Sequence, residues 1–262
     1  MNSTASKVAP ALRALLERLI DYAGIYPPAA LPLDKSVENF SLYQKDVFSW
    51  MLRWLVVGNN ELPNVPVGLD GAISLLSETD DARAATLETK AIVQAKHPVY
   101  CEVAVGNLGQ LDAVKEAGCY AKIRTGGVKP EAIPSTKEVT AFIVACAERR
   151  LPFKATAGLH HPIRAEYALT YESDAPRAVM HGFLNVLMAA AFAWQGERNI
   201  EAIVAETDPA AFSFDEQAKW RGLALNAEIV KDVRNNFIHS IGSCSFDEPV
   251  HELQALGLLP TP

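Results

Sequence analysis

Three short segments alternate apolar residues with charged ones. In VYCEVAVG (99–106), Cys101, Val103 and Val105 make one face and leave Tyr100, Glu102 and Ala104 on the other. In CYAKIRTGG (119–127), Cys119, Ala121 and Ile123 oppose Tyr120, Lys122 and Arg124. In PFKATAG (152–158), Phe153, Ala155 and Ala157 oppose Lys154 and Thr156. If the apolar faces meet helices, the charged faces point together into the middle of a sheet or barrel, where an isolated charge costs several kcal/mol. Lysines at equivalent positions of successive strands suggest a nucleophile. An amine must lose its proton to attack a carbonyl, and both burial and a second cation lower its pKa. One of the two lysines could form an iminium while the other tunes it, with Glu102 in proton transfer and Arg124 as a planar clamp on a carboxylate or phosphate. Three cations against one carboxylate leave attraction for a small anionic substrate. The other reading is an internal ion-pair network centred on Glu102.

Histidines offer further chemistry. His160 and His161 follow the 152–158 segment and are candidates for general acid or base. His181 and Asn185 stand one helical turn apart, as substrate-binding candidates. His161, His181 and His239 with Glu102 could instead bind a divalent metal for a lyase or hydrolase, but neither H-x-H nor H-E-x-x-H spacing is present. The expectation is therefore no metal, and the missing G-x-G-x-x-G turn leaves no dinucleotide cofactor either. His97 and His251 read as solvent-facing, and Cys244 as a turn or core thiol. Asp21 ends the first apolar run, either as a proton-transfer group at the mouth or as a structural partner.

The positioning elements follow from periodicity. Helical spacing over 8–19 precedes a short strand in IDYAGI. Residues 36–51 read as helix, 53–58 and 71–76 as strands, and 80–96 as a helix with an acidic start. Strand 99–106, helix 108–117, strand 119–127, helix 135–150 and strand 152–158 continue the alternation. Residues 159–178 read as a long polar loop and 179–194 as a helix. Residues 200–225 read either as a strand plus helix or as a hairpin. Asn226 caps a helix to about Asn235, 237–246 is a last strand, and 248–259 a closing helix. Strands separated by helices make a parallel sheet. Seven strands, with an eighth between 200 and 225, predict one α/β domain over 1–262: a single (β/α)8 TIM-type barrel with an N-terminal helix and its seventh strand uncertain.

The chain of 262 residues carries a net charge of −7 and no run of Lys and Arg interleaved with aromatics, which argues against a nucleic-acid partner. The opening MNSTASKVAP lacks an apolar signal stretch, and 179–194 is too short and too interrupted to span a membrane. The four cysteines lie far apart, as reduced thiols would. These features predict a cytoplasmic protein with a small-molecule substrate; a homo-oligomer stays open.

The segments KIRTGG (122–127) and KATAG (154–158) resemble the paired lysine strands of class I aldolases of the deoxyribose-phosphate aldolase type. IGSCS (241–245) resembles the small-residue turn that binds phosphate after the last strand of those enzymes. The resemblance, confined to these three segments, implies a Schiff base on Lys122, a perturbing role for Lys154, and an anionic group near Gly242, Ser243 and Ser245. It departs from that pattern at Arg124, at His160 and His161, and in the longer stretch before the final strand. With AKIRTGG, FKATAGLHHP, MHGFLN and IGSCSFDEP, the whole chain also resembles a bacterial protein family with no assigned activity. The contrasting reading is a non-catalytic barrel that binds a small anion or a protein partner.

Overall fold

Alternating strand faces need a layer of helices on one side and each other on the opposite side, and a closed barrel satisfies both demands. A computed structural model describes residues 8–261. Helix α1 (Pro10–Leu16) leads into β1 (Ile20–Tyr22), and α2 (Leu33–Tyr43) into β2 (Leu52–Gly58). Next come β3 (Ile73–Leu76), β4 (Ala84–Thr89) and β5 (Val99–Glu102), then α3 (Gln110–Glu116), β6 (Tyr120–Arg124), α4 (Thr136–Arg149) and β7 (Phe153–Thr156). The chain then makes an antiparallel hairpin of β8 (Ala165–Ala168) and β9 (Arg177–Met180), followed by α5 (Phe183–Trp194) and α6 (Glu201–Val204). A meander of β10 (Phe212–Phe214), β11 (Gln217–Trp220) and β12 (Leu223–Asn226) precedes α7 (Ala227–Asn236), β13 (Ile238–Ser243) and α8 (Asp247–Ala255). Strands β1 to β7 and β13 close into an eight-stranded barrel, β13 pairing with both β7 and β1, and every barrel pairing is parallel. The fold is a TIM-type barrel.

Local signals account for many boundaries. Ser135 caps α4 and forms a capping box with Glu138, and Asn226 accepts from Ile229 N to start α7. Gly118, at φ +70°, turns the chain out of α3 into β6. The outward residues Cys101, Ala121, Ile123, Phe153 and Ala155 are buried in the core with Leu111 and Val114 of α3 and Val139, Phe142 and Ile143 of α4. Phe153 stacks edge-on between Phe142 and Phe237, at centroid distances of 5.4 and 5.0 Å.

Several expectations need correction. The segment 80–96, read as a helix, contains the barrel strand β4, so the strand missing from the sequence reading is the fourth and not the seventh. No α-helix interrupts the connections from β2 through β5. Helix α2 ends at Tyr43, well short of residue 51. The loop 159–178 contains β8 and opens into β9, which takes the first residues assigned to the 179–194 helix. Residues 200–225 hold α6 and, beyond it, the antiparallel alternative as a full meander. Among the described residues no helix is long and apolar enough to cross a membrane. The opening segment read for a signal, residues 1–7, lies outside the described residues.

Candidate active site

The strand faces deliver a charged network to the barrel interior. Register pairs Glu102 with Lys122 and Lys122 with Lys154 across β5, β6 and β7. Glu88 on β4, absent from the sequence reading, stands between the two lysines. Its Oε1 lies 2.6 Å from Lys154 Nζ and its Oε2 3.3 Å from Lys122 Nζ. Lys122 also lies 3.1 Å from Glu102 Oε2. Lys154 pairs in addition with Asp21 on β1, and Ser74 Oγ and Ser240 Oγ donate to Glu88 and Asp21 at 2.8 and 2.7 Å. The network is therefore centred on Glu88 and not on Glu102. With Arg124, three cations meet three carboxylates, which removes the positive excess expected from the sequence.

Electrostatics separates the two lysines. Burial alone would lower the pKa of Lys154, but Asp21 and Glu88 outweigh it and the net shift is upward. Burial alone would raise Glu88, but Lys154 and then Lys122 bring it down to about 2. Lys154 is wholly sealed from solvent and holds its proton firmly. Its charge is spent on two carboxylates, which offsets the perturbing role that the resemblance implies for it. Asp21 is likewise not at the mouth but fully buried beneath it.

Above this network the C-terminal ends of the strands enclose a cavity of about 250 Å³. Lys122, Arg124, Glu88 and Thr156 line it with His160 and Tyr26, and Met180 of β9 adds to its apolar wall. Gly126 and Gly158, after β6 and β7, form part of this end. A Cβ on either would meet the other's Cα at 3.1 Å, and Gly158 sits at φ +75°, so the crossing needs glycine at both positions. Gly242 contributes through its missing side chain, since a Cβ there would come within 3.2 Å of Thr156 Cγ2. Glu102 faces an adjoining recess that shares Arg124 as its wall.

His160 is buried beside the cavity with Nδ1 3.0 Å from Ser243 Oγ. Ser243 directs its hydroxyl proton to Ser245 O at 2.6 Å, which implies that His160 Nδ1 is the donor and Nε2 carries the lone pair. Burial, with a contribution from His161, lowers the pKa of His160 to about 4, so the ring is neutral near pH 7. Tyr26, in the loop after β1, also lines the cavity. Its phenol pKa is raised by burial and then by Glu61 and Glu88, which keeps the proton available as a donor to a ligand oxygen.

Other expected site residues stand elsewhere. His161 binds Glu252 at 2.6 Å and stacks on Tyr167 at 3.5 Å, outside the cavity. His181 spends Nε2 on Pro134 O at 2.7 Å. Asn185 is fully buried and structural: it donates to Ile203 O and Glu206 O, each at 2.8 Å, and accepts from Arg164 N. Ser243 and Ser245 are occupied by their own turn, and Ser245 Oγ accepts from Glu248 N at the start of α8, while Gly242 and Cys244 are the residues of this strand end that face the cavity. Burial pushes the Cys244 thiol up to about 11, as expected of a core thiol. His97 is not solvent-facing but half-buried against Asp80 at 2.6 Å. His239 lies at the opposite end of the barrel, 2.7 Å from Tyr100 Oη. The alternative metal set of His161, His181, His239 and Glu102 is thus dispersed. Among the described residues no three His, Cys, Asp or Glu side chains gather in a way that could hold a metal ion.

No protein-family model matches the chain, and no curated protein matches it either.

Proposed function

We propose that the chain is a Schiff-base enzyme, an aldolase-like carbon–carbon lyase in which Lys122 attacks a small anionic carbonyl compound held in the mouth cavity. One observation carries this reading: Lys122 is the amine at the floor of that cavity, with Glu102 at 3.1 Å to take its proton. Glu88, at a pKa of about 2, is too weak a base for that step, and Lys154 lies sealed below. Lys154 is a positioning residue, holding Glu88 ionised and in place beneath Lys122.

In this mechanism Lys122 passes a proton to Glu102 and its nitrogen adds to the carbonyl carbon. The resulting carbinolamine loses its hydroxyl as water, taking back the proton held by Glu102, and leaves an iminium. The bond between the carbons α and β to the iminium then breaks, its electron pair drawn toward the cationic nitrogen to give an enamine, while the β carbon leaves as a second carbonyl compound as its hydroxyl gives up a proton. Proton transfer at that carbon and hydrolysis return the amine. Arg124 holds the substrate's anionic group at the cavity edge, and neutral His160 is placed to accept a proton from a substrate hydroxyl.

The test is intact-mass spectrometry after borohydride reduction with a panel of small aldehydes, ketones and keto acids, followed by peptide mapping. The expected result is a single reduced adduct on the peptide containing Lys122, lost in Lys122→Met and slowed in Glu102→Gln. Folded protein that gives no adduct across the panel, or an adduct that survives Lys122→Met, would overturn the reading in favour of an anion-binding barrel.

A further inference from the structure

The N-terminal end of the barrel carries a second recess, of about 340 Å³, which the proposed chemistry does not use. Arg18 precedes β1, Arg53 and Trp54 begin β2, and Lys231 and Arg234 come from α7; all five line it. The only carboxylate among its lining residues is Glu17, against four Lys and Arg side chains. No ion pair engages any of those four cations among the described residues.

Basic residues near helix C-termini often serve the helix alone, and Arg234 does so in part. Its guanidinium donates to Ile238 O, to His239 O at 2.9 Å, and to Glu17 O at 3.1 Å, tying the end of α1 to β13. That role accounts for neither the remaining cations nor three buried donors left without a partner among the described residues: Arg53 Nη1, Trp54 Nε1 and Arg234 Nε. Arg234 is itself only 7 % exposed. These three donors are sealed from solvent and so lie in the wall of the recess, while the open cations Arg18 and Lys231 stand at its rim.

The charges report the same deficit. Arg234 falls to about 9 through burial and the neighbouring Arg53. His239 falls to about 3 through burial, then Arg53 and Arg234. Arg53 is held charged against its burial first by Asp21 on the barrel side. An electropositive recess lined by three guanidinium groups and an ammonium group, none of them in an ion pair, suits an acceptor with several oxygens and more than one negative charge.

We propose that this end of the barrel binds a phosphate group, free or as a monoester, through Arg53, Arg18 and Lys231, beside Trp54. The site lies across the barrel from Lys122, so its ligand modulates or stabilises the fold and does not react there.

The experiment uses the full chain with inorganic phosphate and with phenyl phosphate, each against chloride at matched ionic strength. Two readouts are the melting temperature and the Trp54 indole resonance, assigned by its loss in Trp54→Phe. Phosphate should raise the melting temperature by a few degrees and shift that resonance with saturation. Arg53→Met and Arg18→Met should each weaken binding about tenfold or more, while Arg124→Met at the mouth leaves it unchanged. Arg18 and Lys231 are exposed rim residues, so Arg18→Met and Lys231→Met keep the test decisive if Arg53→Met fails to fold. Binding of phenyl phosphate at least as tight as that of phosphate supports an ester ligand beside Trp54, and preference for the free ion supports phosphate itself. No saturable shift of the Trp54 resonance, or a phosphate effect abolished by Arg124→Met alone, overturns the site. That second outcome would leave the mouth cavity as the anion site without bearing on the Lys122 adduct.

Discussion

The two ends of the barrel treat buried charge in opposite ways. Under the mouth, Lys154 lies between Asp21 and Glu88, and Lys122 between Glu88 and Glu102, so both buried ammonium groups meet carboxylates that reach across the barrel interior. At the other end, Arg18, Arg53, Lys231 and Arg234 line a recess whose one carboxylate is Glu17, and none of the four forms an ion pair among the described residues. Burying an ion costs several kcal/mol unless geometry and hydrogen bonds return it. The mouth network returns it from within the chain and can hold Lys122 in place for chemistry. The far recess cannot, and its missing component is external.

The largest effect expected of that contrast is at Lys154. Lys154→Met removes the cation that Asp21 and Glu88 share while both carboxylates stay buried. Urea unfolding at pH 7 should show a loss of about 3–5 kcal/mol, the usual result of breaking a buried pair from one side. A loss below about 1 kcal/mol would mean that the interior is wetter or more adaptable than its packing indicates, and would erase the contrast between the ends.

The sequence showed the mouth more clearly than the far recess, for a physical reason. Glu102, Lys122 and Lys154 sit at the inward phase of strands whose outward phase is apolar, so alternation alone assigned their direction. Glu88 was hidden because AATLET is rich in residues that favour helix, and only its pairing to β3 and β5 makes it a strand. With Glu88 invisible and Asp21 left out of the count, the charge balance of the site was misjudged by two carboxylates. Histidines carried no periodic signal. His161, His181 and His239 looked alike in sequence, and only tertiary contacts send them to Glu252, Pro134 and Tyr100. The far recess draws on residues before β1, at the start of β2 and on α7, which no local pattern connects.

Acid should weaken both ends, in successive windows. Glu88 has a folded pKa of about 2 against an ordinary value of 4.5, so the unfolded chain binds its proton first. The stability it contributes is complete above about pH 4.5 and is lost as pH falls toward 2, roughly 3 kcal/mol in all. His160 and His239 are held at about 4 and about 3 against 6.5. Kept neutral by the fold, they also favour proton uptake by the unfolded chain, so stability rises with pH between those values and 6.5. Chemical denaturation from pH 7 down to pH 3.5 should show a continuous decline, with the upper part flattened in His160→Asn. A stability profile that is level between pH 6.5 and 4.5 would contradict the burial of both rings.

The smallest expected effect lies at the recess. Arg53→Met removes a cation that lowers its neighbours' affinity for protons, because Arg53 contributes to the depressed pKa values of Arg18, Arg234 and His239. It also removes a cation that Asp21 holds charged against its burial. Without phosphate, the variant should therefore unfold within about 1 kcal/mol of the parent, since the lost attraction and the relieved repulsion oppose each other and the methionine retains packing beside Trp54. Its His239 should titrate closer to 6.5, read from the imidazole C–H resonances. With saturating phosphate the gap widens, because the parent gains ligand stabilisation that the variant has lost. The widening distinguishes a recess built for an anion from one whose cations serve only the helix ends: in the second case the difference between Arg53→Met and the parent would be the same with and without phosphate.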